Sequence, residues 1–228
     1  MKRNFTKVLC SIMLSAGVLA AFSGCKKDND AQGGTQYDAV DLGLSVKWAS
    51  YNLGGSKPED FGDYYAWGET ETGKTDYSWE TYKLCNGSAT TLTKYNASDG
   101  KTTLDAGPDG DDVASKKWGG SWRMPTDAEW TELINNCEWK WETSNGVSGY
   151  RVTSKKDGYT DKSIFLPAAG YFDSDARSNV GSIGYYWSSS LDTDGGPSRA
   201  SYLFFYKDDF DRQPTNRCTG LSVRPVTK

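Results

Sequence analysis

Three segments in the second half of the chain carry apolar and aromatic runs of the length of β-strands. They are GYYWSSS (184–190), ASYLFFYKD (200–208) and CTGLSVRPV (218–226). In the second segment, Tyr202, Phe204 and Tyr206 alternate with Leu203 and Phe205. Because both faces of that strand are apolar, we predict that it lies at the centre of a sheet.

The pattern earlier in the chain predicts further strands joined by turns. Residues 163–170, SIFLPAAG, are typical of a buried strand that ends at a proline. Asn145-Gly146 predicts a two-residue hairpin turn between EWKWETS and VSGYRVTS. Residues 62–70, GDYYAWGET, indicate an aromatic strand. Residues 71–110 are rich in Thr, Ser, Asn, Gly and Asp, which indicates long loops.

Two segments have the signatures of short helices. In DDVASKKWGG, aspartate stands at the start, and Gly119-Gly120 ends the helix. Thr126 and Glu129 form a Thr-x-x-Glu capping box. One apolar face follows at helical spacing, formed by Trp130, Leu133, Ile134 and Cys137. The stretch WGGSWRMPTDAEW (118–130) is therefore predicted to be a structural corner, with Trp122, Pro125, Thr126, Glu129 and Trp130 as its structural residues.

Two short helices among many short strands and long loops predict an α+β domain over residues 37–228. Five motifs resemble, in this order, those of the Fibrobacter succinogenes major paralogous domain family: VDLGLSVKWASYNLG, YYAWGET, WGGSWRMPTDAEWTEL, YYWSSS and GLSVRPV. The resemblance runs from Val40 to Val226. It implies a C-type-lectin-like fold, with two helices flanking twisted antiparallel strands and long loops. The element WRMPTDAEW also resembles the RLPTEAEW of formylglycine-generating enzymes, which share a version of that fold.

Residues 1–24 have the pattern of an export signal rather than of a folded segment. Lys2, Arg3 and Lys7 form a basic start, and the apolar run 8–22 is too short to span a membrane. Small residues just before Cys25 resemble the lipobox of bacterial lipoproteins. The resemblance implies cleavage before Cys25 and a diacylglycerol on its sulfur. The alternative is an ordinary secretion signal with an incidental cysteine.

Residues 25–36 are charged and then Gly-rich, with no apolar period, which predicts a flexible tether. Lys27, Asp28 and Asp30 resemble the Lys-acid-acid export signal of Bacteroidota-type surface lipoproteins, although Asn29 interrupts the pattern. Together, the signal and the tether predict a protein that is lipid-anchored in the outer membrane and exposed at the cell surface.

The charge balance argues against nucleic acid as a partner. The chain has 26 basic and 30 acidic residues, and removal of Lys2, Arg3 and Lys7 with the signal leaves 23 basic residues and a net charge of −7. Nucleic-acid binding requires a basic surface. Attachment to the membrane is therefore expected through the lipid rather than through charge.

The absence of histidine restricts the chemistry open to the chain. It excludes Ser-His and Cys-His catalysis and His-ligated metal sites. Formylglycine-generating enzymes work through a cysteine pair near the C-terminal end, where this chain has only Cys218. Ser188, Ser189 and Ser190 lack a G-x-S-x-G elbow. We therefore expect a non-enzymatic protein that has no catalytic residue and requires no cofactor.

The cysteine count leaves two arrangements open. After loss of the signal and lipidation of Cys25, the chain keeps Cys85, Cys137 and Cys218. One disulfide with one free thiol, or three buried thiols, are both compatible with this odd number.

An acidic loop, DAGPDGDD, is a candidate calcium site. It places Asp105, Asp109, Asp111 and Asp112 close together in sequence, and hard oxygen ligands on a flexible loop suit Ca²⁺. The spacing differs from that of an EF-hand, and the chain has no Trp-Asn-Asp motif of the kind that chelates sugar through Ca²⁺ in lectins. The alternative is that Asp111 or Asp112 caps the short helix and that the other carboxylates are solvated.

In C-type-lectin-like folds, recognition usually lies on loops beside the closing strands, which here are LDTDGGPSRAS and YKDDFDRQPTNRC. Aromatic and Arg anchors flanked by polar groups are typical of binding hot spots. The predicted ligand-binding residues are Tyr206, Asp208, Asp209, Phe210, Arg212, Gln213, Asn216 and Arg217. The alternative is a solvated hairpin whose aromatic residues belong to the core.

Three functions follow from these features. We favour a binding or adhesion module for an extracellular glycan or protein. The second is a structural subunit of a surface assembly. The third is an enzyme of the formylglycine-generating type or a hydrolase.

Overall fold

Eleven strands and two helices are formed by residues 37–228, the part of the chain that the computed structural model describes. The helices are α1 (Val113–Trp118) and α2 (Asp127–Asn136). The strands are β1 (Ala39–Val40), β2 (Lys47–Ala49), β3 (Cys137–Ser144), β4 (Val147–Ser154), β5 (Ser163–Pro167), β6 (Tyr171–Asp173), β7 (Ala176–Ser178), β8 (Ile183–Leu191), β9 (Arg199–Tyr206), β10 (Asp209–Asn216) and β11 (Val226–Thr227). They form small sheets in which all neighbouring strands are antiparallel, so the α+β class is confirmed.

The expectations for the signal (1–24), the tether (25–36) and Cys25 fall outside the described residues. Residues 37–228 all belong to one compact unit. Neither α1 nor α2, nor any other helical segment within this unit, is long and apolar enough to cross a membrane.

Side-chain caps begin both helices. The Asp112 carboxylate accepts a hydrogen bond from the Ser115 N–H (2.9 Å) at the start of α1. At α2, the Thr126 hydroxyl accepts from the Glu129 N–H (3.2 Å), and the Glu129 carboxylate accepts from the Thr126 N–H (2.8 Å). The predicted capping box is therefore confirmed. Trp130 is fully buried, as the predicted apolar face requires.

The hairpin of β3 and β4 turns at Asn145 and Gly146, as the sequence predicts. Both residues have positive φ angles, 47° and 83°, which a two-residue hairpin of this twist requires. Strand β5 pairs with the other edge of β4 and is almost entirely buried. The predicted strand over 163–170 is thus confirmed in position and environment.

A second three-stranded sheet has the order β10-β9-β8, with β9 at its centre as the alternation of Tyr202–Tyr206 predicts. Leu203 and Phe205 are fully buried on one face of β9. Strand β10 lies at the edge, which explains how it accommodates Pro214, a residue that has no N–H to donate to a further strand.

Two buried clusters form the core, and neighbouring residues of β8 contribute to different clusters. Tyr186 packs in the cluster that contains Trp48, Trp130 and Phe205. Trp187 packs in the cluster that contains Trp67. The sheet of β8 to β10 therefore packs against both clusters of the core.

Two predicted strands are wrong for most of their length. Residues 62–70 form a single bridge, between Tyr65 and Leu221, and residues 218–226 reach a strand only at β11. Both segments are nevertheless buried, and their backbone groups bond to scattered partners, as in the 2.8 Å bond from the Trp67 N–H to the Arg217 carbonyl. The apolar composition of these two segments therefore indicates that they are buried, and it does not indicate that they pair as β-strands.

The prediction for residues 206–218 also needs correction, because these residues were expected to form a loop. Residues 209–216 are the strand β10. The hairpin of the alternative interpretation is therefore present, and Phe210 packs against the core, whereas Tyr206 is exposed.

All three described cysteines are free thiols, and all are buried. The arrangement with three buried thiols is thus confirmed for Cys85, Cys137 and Cys218.

Candidate functional site

The β9–β10 hairpin carries most of the predicted ligand-binding residues, and its register divides them between two faces. Residues that pair directly across a ladder share a face, and residues two apart along a strand do too. Asp209 pairs with Tyr206, so Asp209 and Gln213 lie on the face of Tyr206, which we call the outer face. Phe210 and Arg212 lie on the inner face.

The outer face presents an aromatic row, which we define as Tyr171, Tyr185, Tyr202, Phe204 and Tyr206. Ring centroids along it are 4.7 Å apart for Tyr171 and Tyr185, and 5.7 Å for Tyr185 and Tyr202. They are 5.4 Å apart for Tyr185 and Phe204, and 5.7 Å for Phe204 and Tyr206. Tyr206 is 40% exposed, and the other four rings are half-buried. Three of these pairs are tilted by 52–60° and only Tyr185 and Tyr202 are close to parallel, at 25°, so the row is a continuous but uneven aromatic surface that is partly open to solvent.

Polar side chains of β10 border this row. Asp209, Asp211 and Gln213 are exposed, and the Gln213 amide donates to the Asp211 carboxylate (2.9 Å). Asp208 is exposed in the turn that precedes β10. The outer face thus combines apolar rings with hydrogen-bond acceptors and one amide, as the sequence predicts for Tyr206, Asp209 and Gln213.

At one end of the aromatic row lies a cleft of about 290 Å³, which we call the tyrosine cleft. Tyr171, Tyr185 and Tyr202 line it together with Asp173, Asn216 and Thr219. The cleft exists because Phe172 and Gly220 exchange two backbone hydrogen bonds, of 2.8 and 2.9 Å, which hold β6 beside the segment after β10.

The hydroxyls of Tyr185 and Tyr202 stay protonated near neutral pH, because the pKa of each is raised. Burial, reinforced by Tyr185, raises the pKa of Tyr202 to about 12. Burial also raises the pKa of Tyr185, whose hydroxyl oxygen accepts a 3.2 Å hydrogen bond from the Asn179 amide. These hydroxyls therefore remain both donors and acceptors for a ligand.

The inner face of the hairpin serves the core. The Phe210 ring stacks on Trp139, with centroids 4.7 Å apart and an interplanar angle of 20°. The interpretation of Phe210 as a ligand platform is corrected by this contact, because its ring packs on Trp139 and against the cluster that contains Trp48, Trp130 and Phe205.

Arg212 lies beside a groove of about 560 Å³ between β10 and the start of α2. Its guanidinium pairs with the Asp127 carboxylate. Ser190, Asp192 and Asp194 also line the groove, which is open and largely polar. Arg212 is partly exposed on this inner side of the hairpin, whereas the exposed side chain of Gln213 belongs to the outer face.

The expectation that Arg217 is exposed is wrong, because its side chain is fully buried. The guanidinium donates to the Tyr82 hydroxyl (2.9 Å) and to the carbonyls of Tyr95 (3.1 Å), Pro197 (2.9 Å) and Lys94 (3.1 Å). It also lies 4.8 Å from the centroid of Trp67. Arg217 therefore ties the 71–110 loops to the end of β10 and is unavailable to a ligand.

The structure does not assemble the acidic loop into a metal site. Within residues 37–228, no group of three or more Asp, Glu, Cys or His side chains is placed to hold a metal ion. Asp105 pairs with Lys101, Asp111 binds Lys94 and Asp109 is exposed. Asp112 caps α1, which confirms the capping alternative for that residue.

The structural corner and the serines both have packing roles. Pro125 is buried, and its carbonyl accepts from the Ser189 N–H (2.7 Å). Trp122 is half-buried against Trp118, with ring centroids 4.9 Å apart. The Ser190 hydroxyl accepts from the Asp127 N–H (3.2 Å), which satisfies a donor at the start of α2.

Comparison of the chain with protein-family models, with curated proteins and with solved structures gives no match. The functional argument therefore rests on the site itself.

Sequence reasoning missed five residues of the tyrosine cleft: Tyr171, Asp173, Tyr185, Tyr202 and Thr219. Their proximity depends on the Phe172–Gly220 pair, which joins residues far apart in sequence. The aromatic residues of β8 and β9 are the part of the cleft that a sequence pattern could have indicated.

Proposed function

We propose that this protein is a lipid-anchored binding or adhesion module of the cell envelope. It recognises an extracellular glycan or protein through the outer face of the β8–β9–β10 sheet, and it performs no catalysis. The observation that carries the proposal is the aromatic row bordered by exposed Asp209, Asp211 and Gln213. Aromatic anchors beside polar groups are what binding hot spots are built from.

The proposal includes membership of the Fibrobacter succinogenes major paralogous domain family and a C-type-lectin-like fold. Five ordered motifs between Val40 and Val226 support the family. Two helices among short antiparallel strands and long loops are compatible with that fold. Anchoring in the outer membrane through a lipid on Cys25, with exposure at the cell surface, is supported by the pattern of the N-terminal signal.

A binding role is favoured over an enzyme of the formylglycine-generating type by the state of the cysteines. Burial raises the pKa of the Cys218 thiol to about 12, and burial raises that of Cys137 to about 11. The thiolate is the reactive form of cysteine, so neither thiol is activated near neutral pH. A structural subunit of a surface assembly remains the second candidate, since β10 is a sheet edge.

The proposal is tested by replacing Asp211, Gln213 and Asn216 together with alanine. We expect an unchanged melting temperature and at least a roughly tenfold weaker binding of the mature protein to intact cells and to glycan or protein arrays, or ~1.4 kcal/mol. All three side chains are exposed, so their truncation should cost little stability.

A matched control changes Lys83 and Asn86 to alanine. Both residues are exposed in the 71–110 loops, and the control also removes one charge. Full binding by the β10 variant, with binding lost in the control, would move the ligand surface to the 71–110 loops. Copurification in a high-mass envelope complex, without ligand binding, would favour the structural subunit.

A further inference from the structure

The tyrosine cleft has an aromatic floor in which the rings pack on each other. The centroids of Tyr171 and Tyr185 are 4.7 Å apart, and those of Tyr185 and Tyr202 are 5.7 Å apart. This spacing leaves no room for a ligand between two rings, as an aromatic cage around a cation requires. The floor is therefore a closed, uneven aromatic surface against which a partly apolar ligand can pack.

The rim of the cleft is rich in groups that bind hydroxyls. Asp173 offers acceptors, and it is exposed, with no hydrogen bond or ion pair to its carboxylate among the described residues. The Asn216 amide and the Thr219 hydroxyl each donate and accept. A ring with several hydroxyls at its edge and C–H groups on its face is complementary to this floor and rim.

The charge of the cleft selects among ligands of that shape. Its lining residues in the described chain include Asp173 and no lysine or arginine. The mature chain also carries a net charge of −7 once Lys2, Arg3 and Lys7 are removed. A sugar that carries a carboxylate, sulfate or phosphate would meet repulsion here, whereas a neutral sugar would not.

The size of the cleft limits how much of such a ligand it holds. Its volume of about 290 Å³ lies at the small end of ligand pockets, which span about 300–1,000 Å³. The cleft therefore accommodates one or two sugar rings, and a longer chain would continue along the exposed aromatic row towards Tyr206.

We infer that the tyrosine cleft is a binding subsite for a neutral saccharide, whose ring packs against the floor formed by Tyr171, Tyr185 and Tyr202 and whose hydroxyls bind Asp173 and the other polar groups of the rim. The inference rests on the proposed function, because it names the ligand class of the binding module. It involves no metal ion, in contrast to sugar chelation through Ca²⁺.

The test measures binding of short neutral oligosaccharides of glucose, mannose, galactose and xylose to the mature protein by saturation-transfer NMR and calorimetry. The variants are Asp173→Ala at the rim and Tyr171→Leu in the floor, which keeps apolar bulk but removes the flat ring. Asp175→Ala is the matched control, because Asp175 is an exposed carboxylate two residues from Asp173 that does not line the cleft.

We expect at least one of these neutral oligosaccharides to bind and to resist removal of Ca²⁺ by a chelator. Asp173→Ala and Tyr171→Leu should each weaken binding at least roughly tenfold, and Asp175→Ala should leave it unchanged. Melting temperatures show whether each variant folds. If Tyr171→Leu does not fold, the exposed Asp173 decides the question.

Three results would overturn the inference: no neutral oligosaccharide binds, binding survives both cleft variants, or oligogalacturonate or phosphocholine binds in place of the neutral sugars. The proposed function is judged separately by binding to intact cells and protein arrays. If the β10 triple variant loses that binding while no neutral saccharide binds, the inference fails and the proposed function stands. If the wild-type protein binds neither cells nor any array, both fail.

Discussion

Replacement of Arg217 by methionine should strongly destabilise the fold. Methionine keeps much of the apolar stem but removes every donor of the guanidinium. Two of the four acceptors, the Tyr82 hydroxyl and the Tyr95 carbonyl, are buried, and the carbonyls of Pro197 and Lys94 are partly buried.

The magnitude follows from the acceptors that lose their donor. A hydrogen bond to a charged group contributes about 1.5–3 kcal/mol, so loss of the two buried bonds, to the Tyr82 hydroxyl and to the Tyr95 carbonyl, costs about 3–6 kcal/mol. The Tyr82 hydroxyl keeps its own bond to the Trp67 carbonyl (2.6 Å), which favours the lower part of that range. Water that reaches the two partly buried carbonyls limits their contribution, and removal of a buried charge offsets part of the loss. We expect a decrease of about 4 kcal/mol in the free energy of unfolding, a large fraction of the usual 5–15 kcal/mol.

Urea unfolding with linear extrapolation measures this difference. Arg212→Met is the matched control, because it removes a guanidinium that is partly exposed, and should cost only about 0–1 kcal/mol. A loss below about 1 kcal/mol for Arg217→Met, accompanied by weaker ligand binding, would refute the reasoning and return Arg217 to the surface.

Further predictions concern the corner, its pH dependence and the anchor. Thr126→Ala should lower the free energy of unfolding by about 0.5–2 kcal/mol through loss of the helix cap, and Trp130→Ala by about 3–5 kcal/mol through a core cavity. Urea unfolding measures both values, and neither variant should lose ligand binding while it is folded. Burial opposes the ionisation of Glu129, but hydrogen bonds from Arg123 and from Thr126 outweigh it and lower its pKa. The stabilisation from this carboxylate is therefore complete above its ordinary pKa and is lost as pH falls through the lowered pKa. Glu129→Gln removes the titrating group, so the free energy of unfolding should fall less steeply at acidic pH in the variant than in the wild type. The same acid dependence in both proteins would contradict this. Cys25→Ala should abolish lipidation, and retention of a thioether-linked lipid, detected by mass spectrometry, would contradict the lipobox interpretation.

Local signals predicted those parts of the fold whose partners are close in sequence. The capping box of Thr126 and Glu129 lies within one helical turn, and the turn at Asn145-Gly146 joins adjacent strands. Both were predicted because the residue types act on their own backbone. In contrast, the aromatic segment 62–70 is buried without forming a strand, since its partners come from distant loops.

The candidate site could be predicted only in part for the same reason. Tyr206 was predicted as a ligand-binding residue of the segment that follows the closing strand, and its side chain is exposed. Sequence alone gave no means to distinguish Arg212, which is partly exposed, from Arg217, which is fully buried. A buried arginine without a carboxylate partner is rare, and the carbonyls that hold Arg217 belong to residues up to 123 positions away.

The central claim is that ligand recognition lies on the outer face of the β8–β9–β10 sheet. Binding of the mature protein to intact cells should be compared between the wild type, Tyr206→Ala and the Lys83/Asn86 control. Tyr206 is the exposed end of the aromatic row, so its truncation should leave the melting temperature nearly unchanged. We predict that Tyr206→Ala weakens binding roughly tenfold, or ~1.4 kcal/mol, while the control binds like the wild type. Wild-type binding by folded Tyr206→Ala would contradict the claim.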